Sequence, residues 1–260
     1  MIYNALYRYA FLAAGMLCFV LPGGAQHYTY APNSISFCQL QKKYDSSLGG
    51  GIGRTLNSRS IELQAAFSPI KHGAVMVNYF DARRGAVTRQ QEVGSSSHFA
   101  EFGIGAYEAT AHGTASLFVG YGQGAIFNNY PLNRIASFDF RRWFVQPTIV
   151  YQRNRFECGI ALRFNRLVYH HAEIDYSINT NDLQRVQAIE SRSPFFLPEL
   201  GLHAGIVFSP CTFMLNVTSL FYSADSFNFE RLNHTLLLTL DLDSVYKRKK
   251  QPAADGIILQ

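Results

Sequence analysis

No stretch after residue 25 approaches 18 consecutive apolar residues, so transmembrane helices are excluded from the mature chain. Cysteine is scarce: once the leader containing Cys18 is set aside, Cys38, Cys158 and Cys211 remain. Three is an odd number, so at least one is unpaired, and no metal-ligand spacing links them. Cys158 falls on the apolar face of its predicted strand, which favours a small buried hydrophobe over a reactive thiol. Pairing of Cys38 with Cys211 stays open. Charge of one sign is also in short supply. Without Arg8 there are 22 basic against 18 acidic side chains, a net charge of about +4. Part of that excess is the run Lys247-Arg248-Lys249-Lys250. A terminal basic run is more often a solvated tail than a nucleic-acid site, and no nucleic-acid partner is expected.

What is present begins with a leader. Arg8 is the only charge in residues 1–25, Tyr9 to Leu21 is apolar, and Pro22-Gly23-Gly24-Ala25 supplies a break and small residues. This reads as a secretory signal peptide cut after Ala25, the apolar run being shorter than the ~20 residues that span a bilayer. Cys18 is preceded by Gly15-Met16-Leu17, too bulky for a lipidation site.

The dominant pattern is alternation. In Ser60–Ser68, Ile61, Leu63, Ala65 and Phe67 share one face while Glu62, Gln64 and Ser68 share the other. A period of two marks a strand with one apolar and one polar side. The same pattern predicts strands near 47–56, 60–68, 74–81, 98–109, 114–124, 139–152, 155–167, 196–208, 212–222 and 234–246. Phe and Tyr together number 36 while mean hydropathy is only −0.03, the balance of a barrel in which alternate residues face lipid. Connections alternate too. Turns follow the second, fourth, sixth and eighth strands, whereas 82–97, 125–138, 168–195 and 223–233 read as longer loops. That is the layout of an even-stranded barrel with both termini in the periplasm. The predicted fold class is therefore all-β: one antiparallel up-and-down transmembrane β-barrel of about ten strands, with eight to twelve compatible. Residues 1–25 are assigned to the signal peptide and 26–45 to an N-terminal periplasmic segment or partial plug across the barrel mouth. The barrel takes 46–246, and 247–260 form a basic C-terminal tail.

The face opposite the apolar one gathers glycine, at Gly49, Gly51, Gly53, Gly103, Gly105, Gly120, Gly122, Gly124, Gly201 and Gly205, as a crowded lumen requires. No helix follows Gly120-Tyr121-Gly122-Gln123-Gly124, which argues against a phosphate-binding loop. The same face carries Glu62, Glu101, Arg142, Glu157, Arg163, Glu199, His203 and Asp241. They are the candidate binding residues, as the lining of a conduit or as a network of mutually satisfied ion pairs. A lumen slightly wider than that of eight strands can be filled by side chains, which favours the network. Unpaired charges are costly there, so the acids are expected to pair with Arg142 and Arg163.

No catalytic residue is assigned. His98, His170, His171 and His203 are the histidines placed where an outer-membrane hydrolase would need one. His170 and His171, with Glu173 and Asp175, suggest a metal cluster, but neighbours on an extended segment point to opposite faces. No metal and no cofactor are therefore expected. Leu232-Asn233-His234-Thr235 lacks a suitably spaced serine for a deacylase. The segment from Tyr169 to Arg192, with an apolar patch at Val186 to Ile189, reads as an external loop able to touch a ligand.

Thr29-Tyr30-Ala31-Pro32-Asn33-Ser34-Ile35, the strand Ile61–Ser68, Phe102-Gly103-Ile104-Gly105-Ala106-Tyr107, Phe118–Gly124 and Phe144–Ile149 resemble a group of small exported outer-membrane barrel proteins of Bacteroidetes-type bacteria. The resemblance covers most of the mature chain through short motifs. It implies a barrel and an outer-membrane address; no activity is assigned to that family, so none is implied here. The chain departs from the common pattern of a terminal aromatic residue, since fourteen residues follow Tyr246.

The expected function is that of a bacterial outer-membrane barrel with a structural or surface-interaction role. Its expected partners are outer-membrane lipids and the barrel-assembly machinery, with lipopolysaccharide or peptidoglycan as further candidates. A narrow channel or transporter for a small solute is the alternative. An outer-membrane lipid hydrolase and a soluble secreted β-sandwich rank below both.

Overall fold

The computed structural model describes residues 28–55, 58–88, 91–175, 178, 180–222 and 229–243. The leader 1–25, Tyr246 and the tail 247–260 lie outside the described residues.

The alternating segments form ten strands: β1 (Ser46–Thr55), β2 (Arg59–Ile70), β3 (Gly73–Thr88), β4 (Gln91–Thr110), β5 (Gly113–Tyr130), β6 (Arg134–Arg153), β7 (Phe156–Ile174), β8 (Phe195–Phe208), β9 (Cys211–Leu220) and β10 (Leu232–Asp241). Each pairs antiparallel with its chain neighbour, and β1 pairs with β10 from Ser47–Asp241 to Thr55–Asn233, closing the sheet into a barrel. Closure leaves no strand edge exposed. A helix, α1 (Thr180–Arg192), joins β7 to β8, and no helix among the described residues is long and apolar enough to cross a membrane. A membrane barrel crosses with strands instead.

One end of the barrel holds the four tight turns, at His72, His112, Asn154 and Pro210, together with the start of β1 and the end of β10. Over the half nearest that end the outer wall is apolar. Ile61, Leu63, Val77, Phe102, Ile104, Leu117, Val119, Trp143, Ile149, Ile160 and Leu236 are all exposed there.

Toward the opposite end the polarity inverts. Phe80, Phe99, Ile126, Phe138, Phe140, Leu167, Tyr169 and Phe195 point inward and form a buried apolar core. The outward residues of the same stretches are mostly polar: Arg83, His98, Gln123, Asp139 and Arg141 are exposed, with Phe127 and Ile135 as apolar exceptions. This inversion corrects two predicted loops. Residues 82–97 and 125–138 are mostly strand, β3 pairing with β4 out to Thr88–Gln91 and β5 with β6 out to Tyr130–Arg134. A reading that assigns apolar side chains to the outer wall loses the strand where apolar side chains turn inward.

The predicted loop 168–195 is corrected as well. β7 continues to Ile174, and α1 follows. Val186 and Ile189, three positions apart on one helical face, are buried in the apolar core rather than offered to a ligand.

The N-terminal segment does not cross a single mouth of the barrel. It runs through the lumen from end to end as a strap. Tyr28 lies at the apolar-core end, its hydroxyl donating to Ala82 O at 3.1 Å, and Tyr30 forms an isolated bridge to Phe229. Ile35 lies halfway, its amide donating to Thr218 Oγ1 at 3.3 Å. Gln41 reaches the tight-turn end, its amide donating to Asp45 Oδ2 at 2.8 Å. Gly201 makes room for the strap: a Cβ there would sit 2.9 Å from Ile35 Cδ1 and 3.1 Å from Ile35 Cβ.

Candidate functional site

The strap meets the wall at a buried charge cluster halfway along the lumen. Arg142 on β6, Arg163 on β7, Glu101 on β4 and Glu199 on β8 have side chains with no solvent exposure. Two cations face two anions, so the cluster is charge-balanced. Arg142 pairs with Glu101 through Nη2. Arg163 donates from Nε to Glu199 Oε2 at 2.6 Å, with its Nη1 3.5 Å from Glu101 Oε1. The guanidinium of Arg142 also lies over the Phe99 ring, 4.5 Å from its centroid.

Two strap residues complete the cluster. Asn33 Oδ1 accepts from Arg163 Nη2 at 2.7 Å and Arg142 Nη2 at 3.1 Å, while its Nδ2 donates to Glu101 Oε1 at 3.1 Å. The hydroxyl of Tyr30 accepts from Arg142 Nη1 at 2.7 Å and donates to Glu199 Oε1 at 2.6 Å. Ions taken out of water are tolerable only when pairing and hydrogen bonding are close to complete. Here the strap supplies part of that pairing. Reading the sequence alone missed Tyr30 and Asn33 as network members. Both lie in Thr29–Ile35, a segment with no strand periodicity to say which way its side chains face.

Glu62 departs from expectation. Among the described residues no arginine pairs with it; its carboxylate instead collects neutral donors. These are Ser34 N at 3.0 Å, Ser34 Oγ, Asn233 Nδ2 at 2.7 Å and Thr235 Oγ1 at 2.9 Å. Glu157 likewise has no arginine partner among the described residues. It accepts from Gln39 Nε2 of the strap, and its Oε1 lies 3.1 Å from His203 Nε2 without hydrogen-bond alignment. His203 is enclosed, with the Phe37 ring edge-on at 4.2 Å.

Asp241 lies apart from the central charge cluster. It is exposed at the tight-turn mouth, accepting at Oδ1 from Asp243 N at 3.0 Å. There it helps line a cavity of about 250 Å³ with Asp45, Gln39, Gln41 and Glu157. Burial pushes the Asp45 carboxyl above the usual range, opposed by the hydrogen bond from Gln41 N. The strap, through Phe37 and Gln39, floors this vestibule.

Cys38, Cys158 and Cys211 are all free thiols. Cys38 is buried on the strap beside Ser36, whereas Cys158 is half-exposed on the outer wall, not buried as its apolar face suggested. His98 lies inside β4 rather than at its start, stacked on Phe127 at 5.9 Å.

The histidine pair also departs from expectation. His170 and His171 do not point to opposite faces. Their rings lie 5.0 Å apart, and one ligand atom from each, with one from Asp139, falls within 4.8 Å of the others. The reason is a bulge. β6 advances two residues from Ser137 to Asp139 while β7 advances three from Glu173 to His170, and His171 takes φ 50°. An extra residue in the left-handed region breaks the alternation on which the opposite-faces argument rests. Comparison of the chain with protein-family models and with curated proteins gives no match.

Proposed function

We infer that the chain is an outer-membrane β-barrel closed by its own N-terminal strap, with a structural or surface-interaction role rather than a conducting one. The observation that carries this reading is the strap. Tyr28 to Cys38 are buried without interruption, and the strap bonds to the central charge cluster, so a solute would meet protein along the whole lumen.

The outer wall supports the membrane address. A strand needs ~9–11 residues to cross the hydrocarbon core, and β6 has 20. Its apolar outward run from Trp143 to Tyr151 fits that requirement, leaving the polar-walled half to stand beyond the bilayer. At the upper border of the apolar belt the exposed outward residues include Arg54, Arg59, Arg83, Arg141 and Arg166. Arginine pairs well with phosphate, so this border suits anionic headgroups such as those of lipopolysaccharide. In this orientation the tight turns face the periplasm, and α1 and the upper wall face outward. A family relation to the small Bacteroidetes-type barrels belongs to the same proposal.

Planar-bilayer recording of the refolded chain tests the reading. The full chain is expected to show no steady conductance, whereas deletion of residues 28–41 in a barrel still folded in cold SDS opens one. Ohmic steps from the intact chain, altered in selectivity by Glu101→Ala, would instead establish the channel.

A further inference from the structure

We propose that Asp139, His170 and His171 form a binding site for a divalent transition-metal ion of the zinc class on the outer wall. Side-chain geometry alone defines the site, whatever surrounds the barrel. Asp139 and His170 are direct partners across the β6–β7 ladder, both on the outer face. The bulge keeps His171 on that face, where alternation would have sent it inward. A non-glycine residue in the left-handed region is strained and persists only where its surroundings impose it. The product of that conformation is two imidazoles beside a carboxylate.

The hydrogen bonding points the same way. His170 Nδ1 is buried and has no hydrogen-bond partner, although an imidazole nitrogen normally finds one when water is excluded. Coordination, at that nitrogen or at Nε2 with Nδ1 reoriented, would satisfy the ring. The ligand atoms lie up to 4.8 Å apart. Ligands ~2.0–2.1 Å from zinc in a tetrahedron lie about 3.3 Å from one another. Asp139 and His171 are exposed, so side-chain rotation can close the difference without moving the sheet.

The donor set selects the ion. Two nitrogens and one oxygen suit Zn2+, Ni2+ or Cu2+, whereas Mg2+ and Ca2+ favour oxygen alone. Three protein ligands leave at least one position for water or an outside donor. The next outward residue on β7, Glu173, stands one pair further along the same face. His98 is separated from Asp139 by Ala125 and belongs to a different stretch of wall.

Isothermal titration of the full chain, refolded in detergent with any affinity tag removed, decides the question with Zn2+ as probe and Mg2+ as control. One Zn2+ per chain is expected, with no Mg2+ signal. His171→Ala and Asp139→Asn should each weaken Zn2+ binding by about tenfold or more, while His98→Ala leaves it unchanged. Retained cold-SDS mobility shows that each variant is folded. No Zn2+ binding by the wild-type chain would overturn the proposal. So would wild-type affinity in the folded His170→Ala/His171→Ala double variant, or loss of binding in His98→Ala alone.

Discussion

At the scale of single residues, the lumen separates two ways of burying an acid. Glu101 and Glu199 are neutralised by Arg142 and Arg163, whereas Glu62 is held by neutral donors from the strap and β10. Arg163→Ala leaves Glu199 buried without its cation and should destabilise the barrel by about 3–5 kcal/mol. Glu62→Gln puts an amide among donors and should cost a smaller ~1–3 kcal/mol, the loss expected of one unsatisfied polar group. Urea unfolding midpoints of the two variants measure the order, and a neutral Arg163→Ala would contradict the assignment. The wall half of this cluster was legible in the sequence, because a strand's period of two fixes which residues face inward. Its strap half was not: Tyr30 and Asn33 lie in a segment without periodicity, so nothing local says which partners they meet. Asp241 has lumen-facing parity, yet it lies so near the end of β10 that parity alone does not bury it. For His170 and His171, alternation gave the wrong answer because a bulge interrupts it.

At the scale of elements, the strap and the upper strands depend on each other. Gly201 on β8 approaches Ile35 so closely that a larger side chain must displace the strap. Gly201→Val is expected to cost about 1–3 kcal/mol through overpacking. Adding Ile35→Ala should recover part of that loss, a non-additivity expected of neighbours in contact. Denaturation of the two single variants and the double variant closes the cycle; simple additivity would mean that the strap does not pack against β8. The strands themselves were legible because most carry an apolar outer run over the tight-turn half. Their upper halves were not, since Phe80, Phe99, Phe138 and Phe140 turn apolar groups inward against Tyr28 and Tyr30. The helix α1 escaped for a related reason: its short apolar face, Val186 and Ile189, acquires meaning only once there is a core to cover.

At the scale of the whole molecule, the chain is a cylinder with two kinds of wall, apolar outside over one half and apolar inside over the other. The first kind exposes a continuous belt of apolar residues rather than scattered positions. The second kind belongs in water, with charges outside and a packed core within. Such a division predicts a bilayer around the tight-turn half and solvent around the rest. Trp143 reports on that border directly. It is the only tryptophan in the chain, is 56% exposed on the outer wall, and packs against Tyr121 at 4.7 Å at the upper edge of the belt. Aromatic side chains of this kind mark the interfaces of membrane barrels. The decisive measurement is quenching of Trp143 fluorescence in vesicles containing lipids brominated at defined depths along the acyl chain. Strong quenching is expected, greatest for bromines close to the headgroup and weaker toward the bilayer centre. Fluorescence from the folded chain that no brominated lipid quenches would place the belt against protein or water and contradict the account.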